Sequence, residues 1–402
     1  MSETPAIEPN ASGNHFILLL LIHGGFVLIG IVTTLLGVIM PALSARLNLN
    51  DAQSGTLFTA QFAGSLFGTL ISGFLWKRFG FLIVLFAGLT LMTVGILGLG
   101  WANRQTVAPC IFLSGIGIGL TIPTSNLLVA ALNPDRQAAA LNILNFAWGG
   151  GALLSPTFFG LLGTQQDIRL PVGFLSGSLL LTAFCFLLFS FVPLAFADSK
   201  TPDRQTDSTK IWRTPFAVLT AVLLFFYVGT ESSLSGWISA YSLRLAAAET
   251  TLWTPATFAF WTAFLLGRLF APLGLRRVNA SVYVLFSLLI AALGMFLLLA
   301  TTQIIFVIIG VILVGLGLAP VFPTVLAEFT GHFGESGARA ANWLFIGSTF
   351  GGAFLTWSVG FLSNAFGSLR IGFIVIFFCC LLMIALQAYL CFEAEDKMRF
   401  FK

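Results

Sequence analysis

Two charged side chains stand inside long apolar runs of this chain, and its chemistry is sought there first. Glu231 lies in Tyr227-Val-Gly-Thr-Glu-Ser-Ser-Leu-Ser-Gly-Trp-Ile-Ser-Ala-Tyr241, about 17 residues into its run. Arg268 closes Phe260-Trp-Thr-Ala-Phe-Leu-Leu-Gly-Arg268, eight residues before Arg276. An ionised side chain at the centre of a bilayer costs about 2.5–3.5 kcal/mol on insertion scales, so both are functional candidates by default. A carboxylate that alternates between protonated and charged forms as water reaches it can carry a proton, which makes Glu231 the candidate coupling group. The structural alternative is a protonated, hydrogen-bonded Glu that only holds helices together. Arg268 sits only ~12 Å of helix from Arg276; a direct pair with Glu231 would need a long reach. Glu328, at the end of its own run, offers an alternative partner in a gate, and snorkelling of Arg268 to the interface is the plainer reading.

Neutral groups complete a candidate solute site. Asn142, Asn145 and Trp148 follow at i, i+3 and i+6 and form one drifting stripe. Gln61, Ser65, Gly68 and Ser72 share a face, as do Thr257, Trp261, Phe264 and Arg268. Asn126, Trp237 and Asn342 are further candidates. Amides suit hydroxyl-rich solutes and indole rings suit their apolar C–H faces. Asn side chains that hydrogen-bond between helices are an equal alternative. His23 is read as a packing or interface residue.

The elements that hold these residues follow from composition. Of 402 residues, 57% are hydrophobic and 8% charged, with 43 Phe and 41 Gly; soluble domains carry about 25% charged residues, so a soluble globular protein is excluded. The net charge of +4 is small and scattered, which argues against a nucleic-acid partner. Cys110, Cys185, Cys379, Cys380 and Cys391 lie in or beside apolar runs without metal-type spacing. Three histidines lack ligand spacing, and there is no nucleotide-binding loop. No cofactor, metal or enzymatic activity is expected.

Continuous apolar runs place helices at 16–43, 54–76, 81–101, 107–131, 137–163, 172–197, 214–242, 252–275, 280–300, 303–329, 337–363 and 369–392. They are about twice the length of a barrel strand and do not alternate, so the fold class is an all-α polytopic membrane protein. Residues 1–15 and 393–402 form tails, and the polar stretch 198–213 links a half at 16–197 to one at 214–392. Met1 to Asn14 carries no Lys or Arg, and no removable signal peptide is expected. If the termini and even-to-odd loops share a side, that side holds thirteen Lys and Arg against five on the other. The positive-inside rule then puts both termini in the cytoplasm.

The second half repeats the first. At an offset of 200, Gly115, Gly117, Pro123, Asn142, Gly151 and Gly160 fall on Gly315, Gly317, Pro323, Asn342, Gly351 and Gly360. At 199, Gly30, Gly37 and Gly68 fall on Gly229, Gly236 and Gly267, and Lys77-Arg78 on Arg276-Arg277. Parallel repeats of six helices serve alternating access, in which two similar halves rock about a central site.

Two six-helix halves of one orientation resemble the major facilitator superfamily over the whole chain. Gly73-Phe-Leu-Trp-Lys-Arg-Phe-Gly80 resembles its loop signature, except that Lys77 stands at the acidic position that normally helps latch the cytoplasmic side. The segments around Glu231 and Arg268, with Pro320-Val-Phe-Pro-Thr324, resemble the fucose-permease-like branch of sugar–proton symporters. The resemblance implies a sugar or sugar-like solute and ion coupling, by proton or sodium. The branch's acidic residues in helices 1 and 4 are missing: no Asp or Glu lies between His15 and Ala42 or from Val107 to Leu132. Coupling must then rest elsewhere, or be absent.

The expected function is secondary transport of a small polar solute by a monomer in the bilayer of a bacterial inner membrane. An exporter of amphipathic compounds, favoured by the many Phe, and a non-transporting membrane sensor are the alternatives. The topology predicts that a cysteine replacing Arg204 reacts with an impermeant reagent only from the cytoplasmic side; labelling from outside intact cells overturns both orientation and repeat.

Overall fold

The computed structural model describes residues 9–192, 208–246 and 254–400. The greater part of the expected linker, the loop at 247–253 and the extreme tails lie outside the described residues. Among those residues the chain forms twelve α-helices: α1 Pro9–Leu47, α2 Asp51–Phe79, α3 Phe81–Leu99, α4 Val107–Leu132, α5 Gln137–Leu162, α6 Arg169–Phe189, α7 Pro215–Ala246, α8 Pro255–Leu275, α9 Ala280–Ala300, α10 Ile304–Gly334, α11 Ala340–Phe366 and α12 Leu369–Phe400. The bounds of α9 coincide with the expected ones. The expected extension of α6 to 197 is not formed; the helix ends at Phe189. Pro193 follows closely, and a residue before proline is pushed out of the helical region.

Eleven of the helices are long and apolar enough to cross a bilayer. The twelfth is α5, diluted by Asn142, Asn145, three consecutive glycines and Pro156. A spanning helix this polar belongs beside other protein or a water-filled cavity rather than lipid. Gly334, at φ 58° and ψ −137°, interrupts the helical path between α10 and α11. Glycine alone tolerates that conformation without strain, which is why the chain can turn there with so few residues.

The chain divides into two compact units. The first holds Met1–Thr33, Ala63–Ser155 and Arg169–Asp203; the second holds Thr34–Phe62, Pro156–Ile168 and Arg204–Lys402. This differs from a division at the linker, because the end of α1, the start of α2 and the end of α5 join the helices of the second half. In the second unit Gly37 of α1 lies against Ser235 and Gly236 of α7, where an added Cβ would come within 2.6 Å of the Ser235 carbonyl. Gly55 of α2 meets Trp357 and Gly360 of α11 in the same manner.

Within each unit the repeated glycines make the same contacts. In the first, Gly95 of α3 lies on Cys110 and Ser114 of α4; in the second, Gly294 of α9 lies on Gly310 and Val314 of α10. Gly68 of α2 packs on Ile116 and Gly119 of α4, and Gly267 of α8 on Leu316 and Ala319 of α10. Gly30 of α1 meets Gly151 of α5, and Gly229 of α7 meets Gly351 of α11. Hydrocarbon supplies no hydrophobic drive between helices, so small residues that let backbones touch supply the association instead. The sequence repeat is thus a repeat of helix–helix contacts.

A Cβ on Gly30 would be driven into the Trp148 carbonyl, whereas one on Gly24, also in α1, meets nothing within 4 Å. Both changes to Ala gain the same helix propensity. Gly30→Ala is therefore expected to be destabilised relative to Gly24→Ala by about 1–3 kcal/mol, read as a lower thermal midpoint of the purified protein.

Candidate transport site

Tyr227 and Glu231 are one turn apart on α7 and share a face. Arg268 of α8 comes close enough to interact electrostatically with both. Glu231 and Arg268 nonetheless form no ion pair within 4.0 Å. Tyr227 is 1% exposed, and neither its hydroxyl nor the Arg268 Nε, both buried, has a hydrogen-bond partner of ordinary geometry. Leaving a buried donor unmet costs about 1–3 kcal/mol. Glu231 lies deep among protein atoms yet keeps part of its surface accessible, as a group lining an internal cleft does.

Aromatic rings frame the cluster. The guanidinium of Arg268 lies 4.4 Å from the centre of the Phe264 ring, a cation–π contact that partly offsets its desolvation. Phe264 packs in turn on Phe260 and Trp261, with ring centres 5.8 and 5.5 Å away. On the other side Tyr227 faces Phe322 of α10 at 5.8 Å, and Phe322 faces Phe345 of α11 at 5.5 Å. The arrangement is a carboxylate, a phenol and a guanidinium in contact range of one another, held in an aromatic setting. It can hold one proton or release it with the resulting charge opposed by Arg268.

The remaining sequence candidates are placed unevenly. Trp237 is fully buried, its indole N–H donates to the Thr356 carbonyl at 2.9 Å, and its ring lies 5.6 Å from Phe58. It has no surface to offer a solute here, so the expected binding role is corrected to a packing role between α7, α2 and α11. Trp261, 3% exposed, is likewise enclosed by the rings of α8. The expected contact between Arg268 and Glu328 is not formed: Glu328 accepts a 2.6 Å hydrogen bond from Ser281 at the start of α9. A serine hydroxyl on the neighbouring helix satisfies that carboxylate more directly than a guanidinium bound to the Phe264 face.

In the first unit Asn142 and Asn145 are exposed on α5 and Trp148 is half-buried. Asn145 and Asn126 each donate an amide N–H to the carbonyl one turn back, Leu141 and Ile122, both at 2.8 Å. Asn342 is exposed near the start of α11, and Gln61 of α2 is half-buried. His23 bonds the Leu19 carbonyl at 2.7 Å, in keeping with packing. Tyr227 was not singled out by sequence, although its i, i+4 spacing to Glu231 is a usable signal.

The sequence profile of the Major Facilitator Superfamily matches residues 22–356. The chain belongs to that superfamily. It is a multi-pass membrane protein of a transporter family. One relative is the protein TsgA homolog of Erwinia tasmaniensis, 24% identical over 258 residues. That alignment covers 60% of this chain, and the chain spans 61% of that relative's length. The glucose/galactose transporter of Brucella abortus biovar 1 is 24% identical over 361 residues, 85% of this chain and 86% of that protein. Among solved structures, a bacterial homolog of the human lysosomal transporter Spinster superposes with a TM-score of 0.78 at 13% identity, covering 95% and 97% of the two chains. A D-xylose–proton symporter does so with a TM-score of 0.72 at 16% identity, covering 92% and 97%. At these identities the superpositions establish the fold of this superfamily member.

The corrected role of Trp237 has a measurable consequence. Trp237→Phe leaves the Thr356 carbonyl without its donor, and stability is expected to fall by about 1–3 kcal/mol while solute affinity is unchanged. A stability midpoint and a binding isotherm on the same preparation check both halves.

Proposed function

We propose that this superfamily member is a secondary transporter of a sugar or sugar derivative, coupled to a proton through Glu231 and working by alternating access. The observation that carries the coupling is the Tyr227–Glu231–Arg268 cluster: a carboxylate deep in the helices, opposed by a cation that stops short of an ion pair. A fixed salt bridge would hold Glu231 charged. At the greater separation found here, Arg268 supports the charged form while leaving room for the protonated one. Protonation removes the expense of carrying a charge through the closed stage of the cycle, and deprotonation follows when water reaches the cluster from the other side. A proton gradient then drives the solute because only the loaded, neutral form changes access readily.

The sugar class is supported by the full-length similarity to a glucose/galactose transporter and by the amides of α5, where Asn142 and Asn145 are exposed and Trp148 retains part of its surface. Amide groups recognise hydroxyls, and an indole face recognises the apolar side of a pyranose. We place the protein in a bacterial inner membrane with both termini cytoplasmic, on the thirteen-to-five distribution of basic residues. It acts on the solute without chemical conversion, as a monomer surrounded by lipid. The aromatic setting of Arg268, with Phe264, Phe322 and Phe345, favours a second reading in which the solute is amphipathic and exported.

Two substitutions test this reading. Glu231→Gln keeps the shape of the side chain and removes its titration, so proton-driven accumulation of hexose in proteoliposomes is expected to be lost while exchange of solute down its gradient persists. Accumulation by the variant with the native pH dependence contradicts the coupling role. Asn142→Ala or Trp148→Ala is expected to weaken hexose binding roughly tenfold, equal to about 1.4 kcal/mol, with the protein still folded. Unchanged hexose affinity in both removes α5 from the site.

A further inference from the structure

The first residue of α2 and the last turn of α7 are joined by an ion pair whose partners stand 193 residues apart in the chain. Arg244 grips Asp51 with both terminal nitrogens, Nη1 to Oδ2 at 2.9 Å and Nη2 to Oδ1 at 2.6 Å. Ser363 of α11 donates to the same Oδ2 at 2.5 Å. Three helices therefore meet on one carboxylate. By sequence α2 belongs to the first half of the repeat, whereas α7 and α11 belong to the second. We propose that Asp51, Arg244 and Ser363 form a latch that closes this end of the second unit and must open and re-form in every transport cycle. The proposal rests on the transporter reading above and adds the device that governs one of its two openings.

Four features make the pair a latch rather than a permanent bolt. The Asp51 side chain is 15% exposed but that of Arg244 is 50% exposed, so water can reach and replace the contact. Each partner suits its own helix when alone: Asp51 lies in the first turn of α2 and Arg244 in the last turn of α7, where the helix dipole favours a negative and a positive charge respectively. The start of α2 holds its shape independently, because Asn50 and Gln53 cap each other reciprocally at 2.8 and 3.1 Å. The surface beneath is flat, with Gly55 of α2 against Gly360 of α11, so the helices can part without disentangling side chains. The bidentate geometry makes the closed state specific.

The experiment uses the full chain, free of its native cysteines, in lipid nanodiscs open to reagent on both faces. Ser54, fully buried three residues beyond Asp51, is replaced by Cys as the reporter, and its rate of reaction with a hydrophilic maleimide is measured. Asp51→Asn and Arg244→Gln are each expected to raise the rate roughly tenfold, and Arg244→Lys, which keeps the charge but loses the fork, about two- to threefold. Ser363→Ala removes one hydrogen bond and is expected to give roughly a twofold rise. Thermal midpoints within a few degrees of native show that the variants are folded; if Asp51→Asn fails that check, Arg244→Lys against Arg244→Gln decides. Rates within twofold of native in every folded charge-removing variant, or Arg244→Lys as fast as Arg244→Gln, overturn the latch. The readout needs no solute. Faster labelling together with an inability to move any hexose leaves the latch and removes the sugar reading; proton-driven hexose uptake with unchanged labelling removes the latch alone.

Discussion

A polar group in the hydrocarbon core has no water to turn to, and most of this structure is a response to that one constraint. Backbone amides and carbonyls satisfy one another inside helices because nothing else is available to them. Hydroxyl side chains do the same locally: Thr93, Thr121, Thr124 and Ser287 each bond the carbonyl one turn back on their own helix. Helices then have no hydrophobic reason to associate, so they associate where glycines let backbones touch. The charged residues go to the helix ends, where Arg370 caps the carbonyl of Leu299 and Asp51 receives Arg244. Against that background Glu231 and Arg268 stand apart, since both lie within spans and neither satisfies the other directly.

The same constraint explains how a structure this tightly packed can move. Contacts built from glycine and alanine are extensive but shallow. Gly37 against Gly236, and Gly55 against Gly360, join surfaces with no knobs to withdraw. Polar links such as the one on Asp51 then decide whether such surfaces stay together, because they are directional and stand where water can compete. Packing provides the two rigid sets of helices, and a few charges set the balance between arrangements. The unmet donors around Glu231 add a second balance, one that a proton or a solute hydroxyl can tip.

Much of the fold was legible in the sequence because bilayer spans announce themselves by length and apolarity. The ends of α3, α4, α5 and α9 fall within two residues of those expected, and the repeat of Gly30, Gly68 and Gly151 at a constant offset anticipated contacts that recur in the second unit. The site was legible only in part. An intramembrane carboxylate is conspicuous in sequence, so Glu231 was found. Trp237 shares its helix and was misread, because a tryptophan that donates to a backbone carbonyl and one that stacks on a sugar have the same sequence environment. Asp51 and Arg244 each look like ordinary loop-proximal charges, and only tertiary packing brings them together across 193 positions. For the same reason the linker marks the repeat but not the boundaries of the two contact units.

The account turns on a sugar being moved by a proton gradient. The most direct measurement reconstitutes the native protein in proteoliposomes, imposes an inward proton gradient with the membrane potential clamped, and follows radiolabelled D-glucose and D-galactose. The account predicts accumulation of at least one of them above its external concentration, with a matched rise in internal acidity and collapse of both on adding a protonophore. Equilibration without accumulation, or accumulation indifferent to the protonophore, would contradict it.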